Sequence, residues 1–181
     1  MKALVAFASK HGSTKEIADY IAKTLEQHQI QTDVLYVGAV MHLTDYDAVI
    51  IGSAVYAGQW RPEAAQFIKV RTDILAEKRI WLFSSGPTGH GNATDLLGGF
   101  LFPENLEYHR NKINPVDTAV FHGNLDLTKL TLAELMIVNS YGGPLGDYRQ
   151  WDKIKAWVFF LPIEMKSIMS ETTLTANSRQ P

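Results

Sequence analysis

The stretch Ser9-Lys10-His11-Gly12-Ser13-Thr14 follows an apolar run, Ala3-Leu4-Val5-Ala6-Phe7-Ala8, and precedes a segment with helical periodicity. The run reads as a strand and the periodic segment as a helix, so these six residues form a strand-to-helix turn. Such a turn is a ready anion site. The first backbone N–H groups of a helix lack internal partners, the dipole favours negative charge, and the hydroxyls of Ser9, Ser13 and Thr14 can donate to phosphate oxygens. Gly12 lets the backbone bend close to a ligand. A simpler reading is a capping box, because Ser13 and Glu16 have the S-x-x-E spacing.

Outward from this turn the pattern repeats. Ile17, Ile21 and Leu25 recur every fourth residue with Ala18 and Ala22 beside them, while Lys15, Glu16, Asp19, Lys23 and Glu26 take the other face, as in a helix packed on a sheet. Residues 32–37 read as a second strand, and Asp47-Ala48-Val49-Ile50-Ile51-Gly52 as a third of the kind buried on both faces. Arg61-Pro62-Glu63 starts a helix, residues 79–84 form a fourth strand, Gly86 to Gly99 is a long loop opening into a short helix, and residues 117–123 form the fifth strand. Strands alternating with helices predict an α/β fold with one parallel sheet, since parallel neighbours need crossover connections. Ligands in such sheets bind at the C-terminal strand ends, where strand order reverses. Three turns therefore matter most: residues 9–14, 53–60 and 84–91. The second carries Tyr56 and Trp60, which either flank a planar ring or pack on the sheet edge.

Composition narrows the chemistry. A chain of 181 residues is about one domain and buries enough surface to fold without staples. There is no cysteine, which excludes disulfides, thiolate metal sites and Cys nucleophiles. A net charge of -2 from 17 basic and 19 acidic residues gives no footprint for nucleic acid. No apolar run approaches the roughly 18 to 20 residues that span a bilayer, so a cytoplasmic protein is expected, with peripheral membrane contact left open. The 6 histidines show no H-E-x-x-H or four-residue pair, so no metal site is expected.

The C-terminal third is less regular. Between the fifth strand and a last helix lies an insertion, Leu125 to Gly146. Within it Thr131 and Glu134 have capping-box spacing, and Leu132, Leu135, Met136, Ile137 and Val138 make the following turns apolar almost all round. Such a helix is buried, or it covers a substrate, a membrane surface, or a second copy through residues 132–138. Asp147-Tyr148-Arg149-Gln150-Trp151 opens the last helix, on which Trp151, Ile154 and Val158 share a face. The pattern fades after Pro162, so the expected domain is 1–169, followed by a disordered tail at 170–181.

The turn Ser9-Lys10-His11-Gly12-Ser13-Thr14 resembles the S/T-x-T/H-G-x-T loop that holds the FMN phosphate in flavodoxin-like proteins. The resemblance implies a three-layer α/β fold, with a five-stranded parallel sheet of order 2-1-3-4-5 flanked by helices, and noncovalent FMN. By position, Ser9, Lys10, His11, Gly12, Ser13 and Thr14 would take the phosphate. Ser53, Ala54, Val55, Tyr56, Ala57 and Gly58 would line one side of the flavin, and Ser84, Ser85, Gly86, Pro87, Thr88 and Gly89 the other. The near-neutral charge, the late insertion and the D-x-R-x-W start of the last helix are similar to the flavodoxin-domain proteins grouped with menaquinone-dependent protoporphyrinogen oxidases. That likeness implies electron transfer from a porphyrinogen through FMN to a quinone. The cofactor, rather than a catalytic side chain, would carry the chemistry. The insertion has only Lys129 as a base, whereas authentic oxidases carry a longer and more basic one. The second and third turns hold no acid before Asp95, which predicts a flavin not biased toward very low potential. Two other readings are an electron carrier serving a redox-partner protein and a cofactor-free binding module.

Overall fold

Alternate residues of strand β1 (Lys2–Ala8) face opposite sides of the sheet. Leu4, Ala6 and Ala8 join one buried cluster, and Ala3, Val5 and Phe7 join another. Both faces are covered, which is why the run is apolar throughout rather than alternating. The computed structural model describes the backbone of residues 1–141 and 144–177, and side chains within 1–140 and 144–167.

The chain proceeds through α1 (Ser13–Gln27), β2 (Gln31–Tyr36), β3 (Ala48–Tyr56), β4 (Gln59–Trp60), α2 (Pro62–Ala76), β5 (Arg79–Ser85), α3 (Ala93–Leu96), α4 (Glu107–Ile113) and β6 (Asp117–Phe121). It then forms β7 (Asn124–Leu125), α5 (Leu132–Tyr141), β8 (Gly146–Asp147) and α6 (Trp151–Asn177). The five long strands are parallel in the order β2-β1-β3-β5-β6, which is the expected 2-1-3-4-5 once the short β4 is set aside. Helices α2 and α4 pack against one face through Phe67, Ile68, Leu75 and Ile113, and α1 and α6 against the other through Ile17, Ile21, Ile154 and Val158. The layers are therefore three.

Register brings the turns together. Ala8 lies beside Ser53, Ser53 beside Ser84, and Ser84 beside Val120, so the strands that lead into the site end at one level.

Two features depart from the sequence reading. Beyond the five parallel strands, β4 folds back antiparallel on β3 through a two-residue turn, with Tyr56 opposite Gln59. Ala57 and Gly58 both have positive φ there, at 48° and 70°, as a tight hairpin turn requires. The segment from Ser170, expected as a tail, is helical as far as Asn177, and residues 178–181 lie outside the described residues. Helix α6 passes through Pro162 because its inner face keeps its spacing. Ile154, Val158, Leu161 and Met165 are all buried, and Glu164 accepts a hydrogen bond from Trp81 Nε1 at 2.9 Å.

The start of α6 is clamped. Arg149 donates to both carboxylate oxygens of Asp147, at 2.8 and 2.6 Å, and to Glu16 Oε2 on α1. Its guanidinium stacks 5.0 Å from the Trp151 ring, which in turn meets Tyr20 edge-on. This planar fork gives the D-x-R-x-W sequence a structural role, joining the last helix to the first.

Candidate functional site

The first helix begins on Gly12, whose backbone is left-handed at φ 92°, and no side chain caps the helix. The capping box is not formed. Ser13 Oγ instead accepts the Asn124 amide at 3.2 Å, and Glu16 is taken by Arg149. The N–H groups of the first turn therefore have no side-chain partner competing with a ligand. Ser9 Oγ accepts the Gly12 amide at 3.0 Å and fixes the turn. Thr14 is 1% exposed and its Oγ1 has no hydrogen-bond partner. A buried hydroxyl without a partner costs about 1 to 3 kcal/mol, and here it lines a cleft. A helix start, an unused buried donor and hydroxyls on either side form a donor set suited to a phosphate.

Ser9, His11, Ser13 and Thr14 form one wall of that cleft, Ala54, Val55 and Tyr56 a second, and Ser85, Gly86 and Thr88 a third. The three expected turns do converge. Gly123, Asn124 and Leu125 close the cleft from the end of β6, outside those turns. Their sequence signal was topological, since the fifth parallel strand also delivers its C-terminal end to this edge. Glycines allow the walls to approach. A Cβ on Gly123 would lie 2.8 Å from the Gly86 carbonyl oxygen, and one on Gly86 would lie 3.0 Å from that of Val55.

Several residues of the expected set are used otherwise. Ser53 is fully buried and its Oγ donates to the Ala54 carbonyl while accepting the Arg61 amide. Ser84 is also fully buried and accepts from Trp60 Nε1 at 2.8 Å. Both hydroxyls tie the second turn to the sheet. Trp60 is 4% exposed and packs edge-on to Phe102, so it takes the sheet-edge role and not that of a ring flank. Ala57 and Gly58 form the hairpin tip, the Pro87 carbonyl accepts the Gly123 amide, and Gly89 faces Leu96 and Pro144. Tyr56 stays half-exposed at the cleft, with the Arg61 guanidinium 6.0 Å from its ring centre.

Lys10 turns out of the cleft. It pairs with Glu134 on α5 at 2.5 Å, and His11 Nε2 donates to the same carboxylate at 2.9 Å. Here the capping box is formed: the Thr131 amide donates to Glu134 Oε2 at 2.9 Å, and the Glu134 amide to Thr131 Oγ1 at 3.3 Å. The acid that is missing from the second and third turns thus arrives from the insertion. The Lys10 hydrogen bond, with Thr131 and His11 adding to it, holds the Glu134 carboxyl far below the usual range. Behind this contact is a pocket of about 310 Å³, largely apolar, between Tyr56, Arg61, Leu125, Leu130, Ile137 and Val138. Helix α5 is not buried. Leu132, Met136 and Ile137 are 83, 75 and 56% exposed.

Among the described residues, no group of three or more His, Asp or Glu could hold a metal ion, and no helix is long and apolar enough to cross a membrane.

A parallel sheet of order β2-β1-β3-β5-β6, helices on both faces and a hydroxyl-lined helix start at the reversal point define the flavodoxin fold. The chain belongs to the flavodoxin-domain family, whose model, described as "Flavodoxin domain", matches residues 4–141. Its fold is similar to that of rubredoxin oxygen:oxidoreductase from Desulfovibrio gigas, with a TM-score of 0.60 and 16% identity over 92% of this chain and 36% of that one. It is also similar to oxidised Flavodoxin 2 from Bacillus cereus, with a TM-score of 0.51 and 25% identity over 68% of this chain and 85% of that one. A curated relative, protoporphyrinogen IX dehydrogenase (quinone) of Escherichia coli, is 35% identical over 71 residues, 38% of this chain. The match spans 39% of that relative's length.

Proposed function

We propose that the cleft binds FMN noncovalently and that the protein is an oxidoreductase passing electrons between that flavin and an apolar redox partner molecule of the quinone class. The observation that carries the cofactor reading is the unpartnered Thr14 hydroxyl, buried beside an uncapped helix start on the cleft wall. Ser9, Ser13, Thr14 and the first-turn amides would hold the phosphate, while Tyr56, Ser85, Gly86 and Thr88 would flank the ring. Bound FMN would supply one- and two-electron redox chemistry that no side chain here can supply.

The 310 Å³ pocket between Tyr56 and α5 favours an enzyme over a plain carrier. Its apolar walls suit a quinone-like molecule. The family's flavodoxins and the 71-residue likeness to a quinone-linked dehydrogenase support the same reading. A cytoplasmic location, with peripheral membrane contact or self-association through the exposed residues 132–138, fits that chemistry. An electron carrier acting on a redox-partner protein is the second reading, favoured by the fold likeness to a flavodoxin that covers 85% of that chain.

Purification tests the cofactor: the protein should be yellow, or should quench the fluorescence of added FMN with a saturable, equimolar endpoint. A colourless protein that takes up no FMN would leave the cofactor-free binding module. Steady-state assays with a quinone and with protoporphyrinogen then separate enzyme from carrier, since a carrier turns over with neither.

A further inference from the structure

A second cavity, of about 290 Å³, lies behind the flavin cleft between α3, the end of β6 and the start of α6. The end of β6 divides the two: Gly123 to Leu125 close the cleft, whereas Val120 to His122 line this cavity. Its polar groups are unusual. His122 is 2% exposed and its Nε2 has no hydrogen-bond partner. Gln150 Oε1 is buried and likewise unpartnered, although the same side chain donates from Nε2 to the Gly91 carbonyl. Lys153 brings a positive charge to the rim and makes no ion pair among the described residues. Burial, with the Lys153 charge adding to it, lowers the His122 pKa and keeps the imidazole neutral near pH 7. Trp157 supplies an aromatic wall, fixed by its Nε1 donating to Asp117 at 2.6 Å and by edge-on contact with Phe121.

We propose that this cavity binds a small planar organic anion that also carries a hydroxyl group, the chemistry of a hydroxyaryl carboxylate. The Lys153 ammonium takes the carboxylate, and Gln150 Oε1, an acceptor with nothing to accept, takes the ligand hydroxyl. The neutral His122 Nε2 makes one further hydrogen bond, and the ring lies against Trp157. The site uses none of the residues assigned to FMN, so it stands whether or not the flavin reading does.

Calorimetric titration of the purified full chain with para-hydroxybenzoate near neutral pH tests this. Benzoate and para-hydroxybenzyl alcohol serve as probes lacking the hydroxyl and the carboxylate. Saturable binding is expected for para-hydroxybenzoate. It should be about tenfold weaker for each analogue, and about tenfold weaker for para-hydroxybenzoate in Lys153→Met and Gln150→Leu. A change in tryptophan fluorescence should accompany binding and be lost in Trp157→Phe, with circular dichroism verifying that each variant is folded. Added FMN should leave the affinity unchanged. The proposal is overturned by the absence of saturable binding, by equal affinity in folded Lys153→Met and Gln150→Leu, or by displacement of the probe by FMN.

Discussion

The Glu134 carboxylate accepts a hydrogen bond from His11 Nε2 at 2.9 Å, across 123 residues of chain. With Lys10 on the same oxygen, it engages both basic side chains of the turn that starts the first helix. A phosphate bound at that turn would lie beside a carboxylate as well as beside the Lys10 ammonium. Replacing Glu134 by Gln keeps a capping-box residue at α5 and removes the charge. FMN should then bind more tightly, by roughly fivefold, while riboflavin, which lacks the phosphate, binds as before. Fluorescence quenching titrations with both flavins check this, and an equal change for the two would place Glu134 against the ring instead.

The same carboxylate sets a pH dependence. Its folded-state pKa lies well below the ordinary 4.5, first through Lys10 and then through Thr131 and His11. A depressed carboxylate stabilises the folded state above the unfolded value and loses that contribution as pH falls through the folded one. Helix α5 should therefore stay attached to the turn at residues 9–14 at pH 4.5 and detach only in stronger acid. The carboxyl carbon shift of Glu134, followed by NMR, should titrate below 4.5, and a midpoint at or above that value would contradict the contact.

The strand order rested on the resemblance to flavodoxin-like proteins. The alternation of strands and helices and the strand-to-helix turn at residues 9–14 were legible because they rest on local pattern: an apolar run, hydroxyls, a glycine and a fourfold repeat. The Thr131 and Glu134 capping box was legible for the same reason. That its carboxylate would reach Lys10 and His11 was not, because the pairing is fixed by where the β7 and β8 ribbon turns the insertion back over the sheet edge. Ser53 and Ser84 show the converse. Their residue type and position suited a ligand, but hydroxyls at the last level of a buried parallel sheet are consumed by Arg61 and Trp60 of the neighbouring hairpin. Sequence order identifies a strand end, whereas the direction of a side chain there depends on the pleat.

Thr14 separates binding from stability. Its hydroxyl is buried without a partner, so the near-isosteric Thr14→Val should leave the free protein as stable or slightly more so. The same change should weaken FMN by about 1 to 3 kcal/mol through the lost phosphate hydrogen bond. Thermal unfolding with and without FMN reads both effects. Unchanged FMN affinity in Thr14→Val would move the phosphate away from α1.

Ala57 occupies a conformation suited to glycine, with φ 48° at the first position of the hairpin turn. A Cβ there costs about 1 kcal/mol. Ala57→Gly should therefore stabilise the protein by somewhat less than that, because glycine also adds freedom to the unfolded chain. Chemical denaturation should show a higher midpoint with an unchanged slope, and a lower midpoint would mean that the turn is not left-handed at Ala57.

Arg149 is nearly buried, with 6% of its side chain exposed, and it joins Asp147, Glu16 and the Trp151 ring. Lysine would keep the charge and lose the two-pronged contact to Asp147 and the stacking on Trp151. Arg149→Lys should cost about 2 kcal/mol and lower the melting temperature by about 4 to 8 °C. Asp147 pairs with Asn124 in the β7 and β8 ribbon, and Asn124 lines the cleft. Loosening the clamp should therefore also weaken FMN, by less than Thr14→Val does. A melting temperature equal to that of the parent protein would mean that charge alone, without the planar geometry, holds α6 to α1.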